Sequence, residues 1–208
     1  MSRGKLIVAV GLPGAGKSSI SKELSTKIDA VTLLEPEEEN WGKAIKDRER
    51  CGKFTALNWF RSERVPLLYE AEELVSNGVD VIIDTYYDKL LAYYIGDKHM
   101  EWLIDKDDPY FPIAEAMAKQ DLKSLPNADI IVILNVNEKV WQQFLSDRGR
   151  VYDQEEQLQE LYAMQSVIVK AAMKFASDFG AQVINFKQEY DSPAEAADRL
   201  YKILCDAR

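Results

Sequence analysis

Residues 11–18 read Gly-Leu-Pro-Gly-Ala-Gly-Lys-Ser and follow directly on the apolar run Leu6-Ile7-Val8-Ala9-Val10. Glycines at 11, 14 and 16 let a backbone turn tightly, so that its N–H groups converge on an anion. A helix opening near Lys17 adds its positive N-terminal end. In this spacing the lysine reaches the β- and γ-phosphates of a nucleotide and the serine hydroxyl ligates Mg²⁺. Gly11, Pro13, Gly14, Ala15, Gly16, Lys17, Ser18 and Ser19 are therefore the predicted triphosphate site, with ATP and Mg²⁺ the expected cofactors.

Other chemistry-bearing residues fall just past apolar runs. Asp84 ends the run Val79-Asp80-Val81-Ile82-Ile83, where a carboxylate can hold Mg²⁺ beside Ser18. It can equally cap a following helix. Glu35 follows Val31-Thr32-Leu33-Leu34, where it can accept the proton of an attacking hydroxyl. The acidic run Glu37-Glu38-Glu39 next to it equally fits a solvated face. Arg148 and Arg150 straddle Gly149, and two guanidinium groups on a movable segment can stabilise the charge of a transferring phosphoryl group. Arg61 and Arg64 can hold a phosphate or a base. Trp41, Trp59, Phe60, Tyr86 and Tyr87 can line an aromatic slot, although aromatics at such positions also build cores.

These residues need a frame that brings strand ends together. Five apolar runs, the three above with Ile130–Leu134 and Val183–Phe186, read as buried parallel strands covered on both faces. Helical patterns alternate with them over 18–28, 54–76, 113–122, 138–146, 155–179 and 193–204. Asn77-Gly78 and Gly180 give stop signals, and Ser192-Pro193 reads as an N-cap followed by the first helical position. The alternation predicts one doubly wound three-layer α/β domain over 1–208, its ligand at the carboxyl ends of the strands. The stretch 96–112 reads as a surface loop.

Composition narrows the chemistry. Against 26 Lys and Arg stand 35 Asp and Glu, a net charge of −9 in 208 residues. An acidic chain is a poor partner for a nucleic-acid polymer. Two cysteines and a single histidine, His99, argue against a structural zinc site and against a Ser-His-Asp triad. The apolar run after Lys5 is too short for a membrane span or a secretion signal, so a cytoplasmic protein with no membrane partner is expected.

The set resembles the deoxynucleoside kinase and thymidylate kinase superfamily of P-loop kinases over most of the chain. Leu33-Leu34-Glu35-Pro36…Trp41 is similar to the deoxynucleoside kinase motif in which Glu is the base toward a sugar 5′-hydroxyl and Trp lines the base pocket. The Glu-to-Trp spacing is one residue longer here. Residues 148–153 resemble the family lid (near 148–154), and Asp84-Thr85-Tyr86 resembles the end of its third strand. Arg64 sits about one residue from the register of an acceptor-phosphate arginine. Thr85 departs from the pattern, since both branches usually carry Arg there.

The resemblance implies a five-stranded parallel sheet of order 2-3-1-4-5, an arginine lid and a possible homodimer. It implies Lys17, Glu35, Asp84, Arg148 and Arg150 as catalytic residues. It gives Glu35, Trp41, Arg61, Arg64 and Tyr86 to a small-molecule nucleoside or nucleotide acceptor, and Ser18 with Asp84 to the metal. Phosphoryl transfer from ATP to a (deoxy)nucleoside 5′-hydroxyl leads. A nucleoside monophosphate kinase, a kinase of another alcohol and a non-catalytic nucleotide-binding module are the alternatives.

Overall fold

The computed structural model describes residues 3–149 and 158–206. Five strands, β1 (Leu6–Gly11), β2 (Val31–Leu33), β3 (Val81–Ile83), β4 (Ile130–Val136) and β5 (Gln182–Gln188), form one parallel sheet in the order β2-β3-β1-β4-β5. This is the expected order.

The helices are α1 (Lys17–Ile28), α2 (Lys43–Lys46), α3 (Arg48–Cys51), α4 (Lys53–Ser76), α5 (Tyr87–Tyr94), α6 (Phe111–Ser124), α7 (Glu138–Arg148), α8 (Leu158–Phe179) and α9 (Pro193–Asp206). All six residues of β1 and all of β3 are buried, because helices cover both faces of the sheet. α1 packs on α9 and on β1 to β3, while α8 lies against β1, β4 and β5 and joins α5.

The edge strands differ from the expected continuous burial. β2 is only partly covered, and β5 alternates between buried and exposed residues. An edge strand has fewer neighbours to cover it, so only its core-facing side needs apolar residues.

Local signals set the helix ends. Ser192 and Glu195 form a capping box: the Ser192 N–H donates to Glu195 Oε2 at 3.0 Å and the Glu195 N–H donates to Ser192 Oγ at 3.3 Å. Helix α9 accordingly starts at Pro193. Asn137 caps α7 by accepting the Val140 N–H at 2.9 Å.

Two expectations are corrected. The segment 96–112 is not simply a surface loop: Met100 and Ile104 are buried in the core, residues Lys98–Met100 make a 3₁₀ turn, and α6 opens at Phe111. Helix α5 and the short helices α2 and α3 stand where no helix was read. The start expected at 155 for the helix preceding β5 lies outside the described residues.

Candidate active site

The cleft opens at the carboxyl ends of β1, β2 and β3 and encloses about 1140 Å³. Its floor is the loop between β1 and α1. Gly14 and Gly16 adopt φ of +78° and +84°, in the left-handed region that favours glycine. Gly16 also forms the N-cap of α1. The loop has no room to spare at Gly14, where a Cβ would lie 2.5 Å from Leu145 Cδ2 and 3.4 Å from Arg148 Cζ. Helix α7 therefore rests directly on the loop, and the Trp141 indole N–H fixes it there by donating to the Pro13 carbonyl at 2.8 Å.

Pro13, Gly14, Gly16, Lys17, Ser18 and Ser19 all line the cleft. Gly11 and Ala15 act from beneath. Ala15 is fully buried, and the Gly11 carbonyl accepts from the Lys17 ammonium at 3.2 Å and from the Tyr87 hydroxyl at 2.7 Å. Lys17 also donates to the Leu12 carbonyl at 2.9 Å.

Asp84 follows β3 and is buried. It does not cap α5. One carboxylate oxygen accepts the Ser18 hydroxyl; the other accepts the Glu35 backbone N–H at 2.9 Å. This ties the phosphate loop, β2 and β3 together at one carboxylate. Burial pushes the Asp84 pKa up and the nearby Glu35 charge pushes it further, while the Ser18 and Glu35 hydrogen bonds and Lys17 oppose the rise.

Glu35 lines the cleft with Pro36 and Trp41. Its Oε1 is buried without a hydrogen bond and lies 3.8 Å from Arg64 Nη1. Arg64 is buried: its guanidinium forks onto Asp88, Nε to Oδ2 at 2.7 Å and Nη2 to Oδ1 at 3.2 Å. The Phe60 and Tyr87 rings lie 5.3 and 5.5 Å from its Cζ. Burial alone would lower the Arg64 pKa, but the carboxylates of Asp88 and Glu35 raise it above its ordinary value. Trp41 donates its indole N–H to the Pro36 carbonyl at 3.1 Å and meets Phe60 edge-on at 5.6 Å.

Two predicted acceptor residues lie elsewhere. Arg61 forks onto Asp121, at 2.7 and 2.8 Å, and does not line the cleft. It sits one helical turn short of Arg64 on α4, and Asp121 of α6 captures it. Tyr86 points into the core. Its hydroxyl donates to the Pro126 carbonyl at 2.8 Å and accepts the Ala128 N–H at 2.9 Å, with its ring edge-on to Phe175. Burial raises its pKa. Of the aromatic set, Trp41, Phe60 and Tyr87 reach the cleft, whereas Trp59 and Tyr86 do not.

Arg148 lines the cleft from the end of α7. Arg150 and the rest of the lid expected near 148–154 lie outside the described residues, except Gly149, which caps α7 at φ +63°. Sequence reasoning missed Arg48, Met100, Trp102, Leu103, Phe144, Tyr190 and Asp191, which also line the cleft. Gln188, at the end of β5, lines the cleft, whereas Lys187 is exposed and paired with Glu189. No local signal marks the missed residues, because they come from separate segments, among them α3, the 3₁₀ turn at Lys98–Met100, α7 and the stretch after β5, that meet only in the fold.

Comparison with known proteins agrees with the fold. No protein-family model matches the chain. A probable thymidylate kinase of Methanococcus maripaludis is 27% identical over 121 residues, 57% of this chain and 60% of that one. A thymidylate kinase of Xylella fastidiosa is 24% identical over 155 residues, 70% of this chain and 65% of that one. The chain thus spans less than two thirds of the length of these curated relatives.

Among solved structures, deoxyadenosine kinase from M. mycoides with bound dATP superposes with a TM-score of 0.70 at 21% identity, covering 95% of this chain and 99% of that one. Thymidylate kinase from Candida albicans gives 0.65 at 19% identity, covering 100% of this chain and 93% of that one. The chain has the fold and the phosphate loop of the P-loop nucleoside and nucleotide kinase superfamily.

Proposed function

We propose that the protein transfers the γ-phosphoryl group of ATP to the 5′-hydroxyl of a nucleoside or deoxynucleoside. One observation carries this reading. Glu35 lines the cleft beside the phosphate loop, its Oε1 making no hydrogen bond and facing Arg64, while Arg61 and Arg64 each fork onto a buried aspartate. A neutral hydroxyl acceptor needs a base and no anion clamp; a phosphate acceptor needs the reverse.

In this reading the loop N–H groups and Lys17 hold the triphosphate. Lys17 leaves the Gly11 and Leu12 carbonyls for the phosphates, and Arg148 spreads over the transferring group from α7. Glu35 takes the acceptor proton. Ser18 Oγ and Asp84 would hold Mg²⁺, which neutralises charge on the phosphates when bound. Their hard oxygens fit it, since Mg²⁺ takes one or two protein oxygens and fills its shell with water and phosphate. Among the described residues no group of three or more His, Cys, Asp or Glu side chains could hold a metal ion. Trp41, Phe60 and Tyr87 offer ring faces and edges to the acceptor base. The reading includes a small-molecule acceptor and a cytoplasmic site of action. Among the described residues no helix is long and apolar enough to cross a membrane.

A monophosphate acceptor is the second reading, favoured by the thymidylate kinases that the chain resembles in sequence. An ADP-release assay over nucleosides, nucleoside monophosphates and simple sugars separates the two, with Lys17→Ala as the control for contaminating activity. Nucleosides are expected to stimulate release. Glu35→Gln is expected to lower kcat by about 10²–10⁴-fold with ATP binding retained. Stimulation by monophosphates alone, with Glu35→Gln fully active, refutes the reading.

A further inference from the structure

Arg64 sits where it can act on Glu35 without touching an acceptor. Its guanidinium is held on three sides, by the Asp88 fork and by the Phe60 and Tyr87 rings. The Nη1 corner is left to face Glu35 Oε1 at 3.8 Å. Thr85, directly after the strand-end acid, is buried with its hydroxyl unpartnered and brings no charge. Lys17, at the end of the β1 loop, donates to main-chain carbonyls of that loop. The positive charge that faces Glu35 thus comes from α4, fixed by an aspartate of α5.

We propose that Arg64 is the positioning residue of Glu35, and that Asp88 holds it in that role. The proposal rests on the reading of Glu35 as the base. Glu35 is anchored at both ends of the residue: Asp84 holds its backbone N–H, and Arg64 attracts its carboxylate toward the acceptor wall of the cleft. Without Arg64 the carboxylate has no partner on that side and is repelled by Asp84, so it swings toward water. A misplacement of about 1 Å in a reacting group costs about 10²-fold in rate. The guanidinium fork matters as well as the charge, because an ammonium cannot satisfy both Asp88 oxygens and still face Glu35.

The test removes both buried charges at once. Arg64→Met with Asp88→Asn removes the fork as a pair, so that Asp88 is not left as a buried unpaired ion, which is the change a buried pair tolerates best. Expected is a folded protein with unchanged ATP affinity, acceptor KM within about threefold of the parent and kcat down about 10²-fold. On a Glu35→Gln background the same pair of substitutions is expected to cost less than about twofold more, since both changes then act through one group. Arg64→Lys, which keeps a charge in place, is expected to fall between.

A rise in KM with kcat intact overturns the proposal, because Arg64 would then bind the acceptor. Full multiplicative loss on the Glu35→Gln background overturns it too. A crystal structure of the double variant reads the proposal apart from activity: the Glu35 carboxylate is expected to move away from its place beside Asp84. If it stays, the proposal fails even where the reading of Glu35 stands. If wild type ignores nucleosides while the carboxylate does move, only the functional reading fails.

Discussion

Asp84→Asn separates the electrostatic role of this residue from its structural one. The carboxylate accepts two hydrogen bonds, from the Ser18 hydroxyl and from the Glu35 N–H. Asparagine has nearly the same shape. Its carbonyl oxygen can keep the Glu35 N–H, and its amide can donate to Ser18 Oγ. At most one net hydrogen bond is lost, about 1 kcal/mol.

Against that loss stands a gain. Burial and the Glu35 charge raise the Asp84 pKa, so the ionised form is disfavoured in the native state. A carboxyl group whose folded pKa lies above its unfolded value lowers stability as pH rises through that range, and the penalty persists at neutral pH. The substitution removes it. The ligand-free variant is therefore expected to melt within about 2–4 °C of wild type at pH 7, on either side. Its stability is expected to fall less than that of wild type as pH rises above about 4.

Ligand binding is expected to change more. At a nucleotide concentration a hundred times Kd, wild type gains about 2.7 kcal/mol, and the Mg²⁺-dependent part of the gain is expected to vanish in Asp84→Asn. Differential scanning fluorimetry with ATP, with and without Mg²⁺, measures both effects. A variant that melts more than 10 °C below wild type, yet keeps its full Mg²⁺-dependent shift, refutes the reasoning.

Gly14→Ala is expected to lower stability by about 2–3 kcal/mol, because its φ of +78° strains any L side chain and its Cβ meets Leu145. Gly149→Ala, at φ +63° with open space around it, is expected to cost about 1 kcal/mol, and urea unfolding of the two compares them. Lys89 is buried, donates to the Leu125 carbonyl and lies 5.2 Å over the Phe179 ring; burial lowers its pKa to about 8. Its charged form is penalised in the native state below that pH, so stability is expected to rise as pH climbs from about 8 toward 10. Lys89→Met is expected to lose that rise, which unfolding free energies at pH 7, 8, 9 and 10 would show.

How much of this was legible in the sequence varies by element. Where one strand and its loop hold all the information, as at residues 6–18, the strand, the glycine turn and the start of the helix are legible. Asp84 and Glu35 were found because each directly follows an apolar run, and the sheet brings those ends together. Helix α5 was missed for a physical reason. Its buried residues include Asp88 and Lys89 beside Leu90 and Leu91, so its buried positions do not trace an apolar helical stripe. Choosing between Tyr86 and Tyr87 required knowing where β3 stops. The fates of Arg61 and Arg64 were invisible, because their partners lie 60 and 24 residues away on other helices.

Those two pairings bear on the kind of acceptor proposed for the cleft. A phosphate could take both arms of the Arg64 fork only by drawing it off Asp88, whose side chain is 3% exposed, and otherwise meets only the Nη1 corner that faces Glu35. Removing one partner of such a buried pair leaves an uncompensated charge and costs about 3–5 kcal/mol. The phosphate would repay part of that through its own contact with the guanidinium, but it would also lie beside the Glu35 and Asp84 carboxylates, which repel it. A hydroxyl acceptor meets no such opposition: it leaves the Arg64–Asp88 fork intact and finds in Glu35 an acceptor for its proton. Arg61 offers the phosphate no alternative, since it faces Asp121 outside the cleft. A monophosphate acceptor would therefore need further cations, and Arg148 belongs to the donor side through its contact with Gly14. The charge arrangement thus favours a neutral acceptor, even though the sequence relatives are thymidylate kinases.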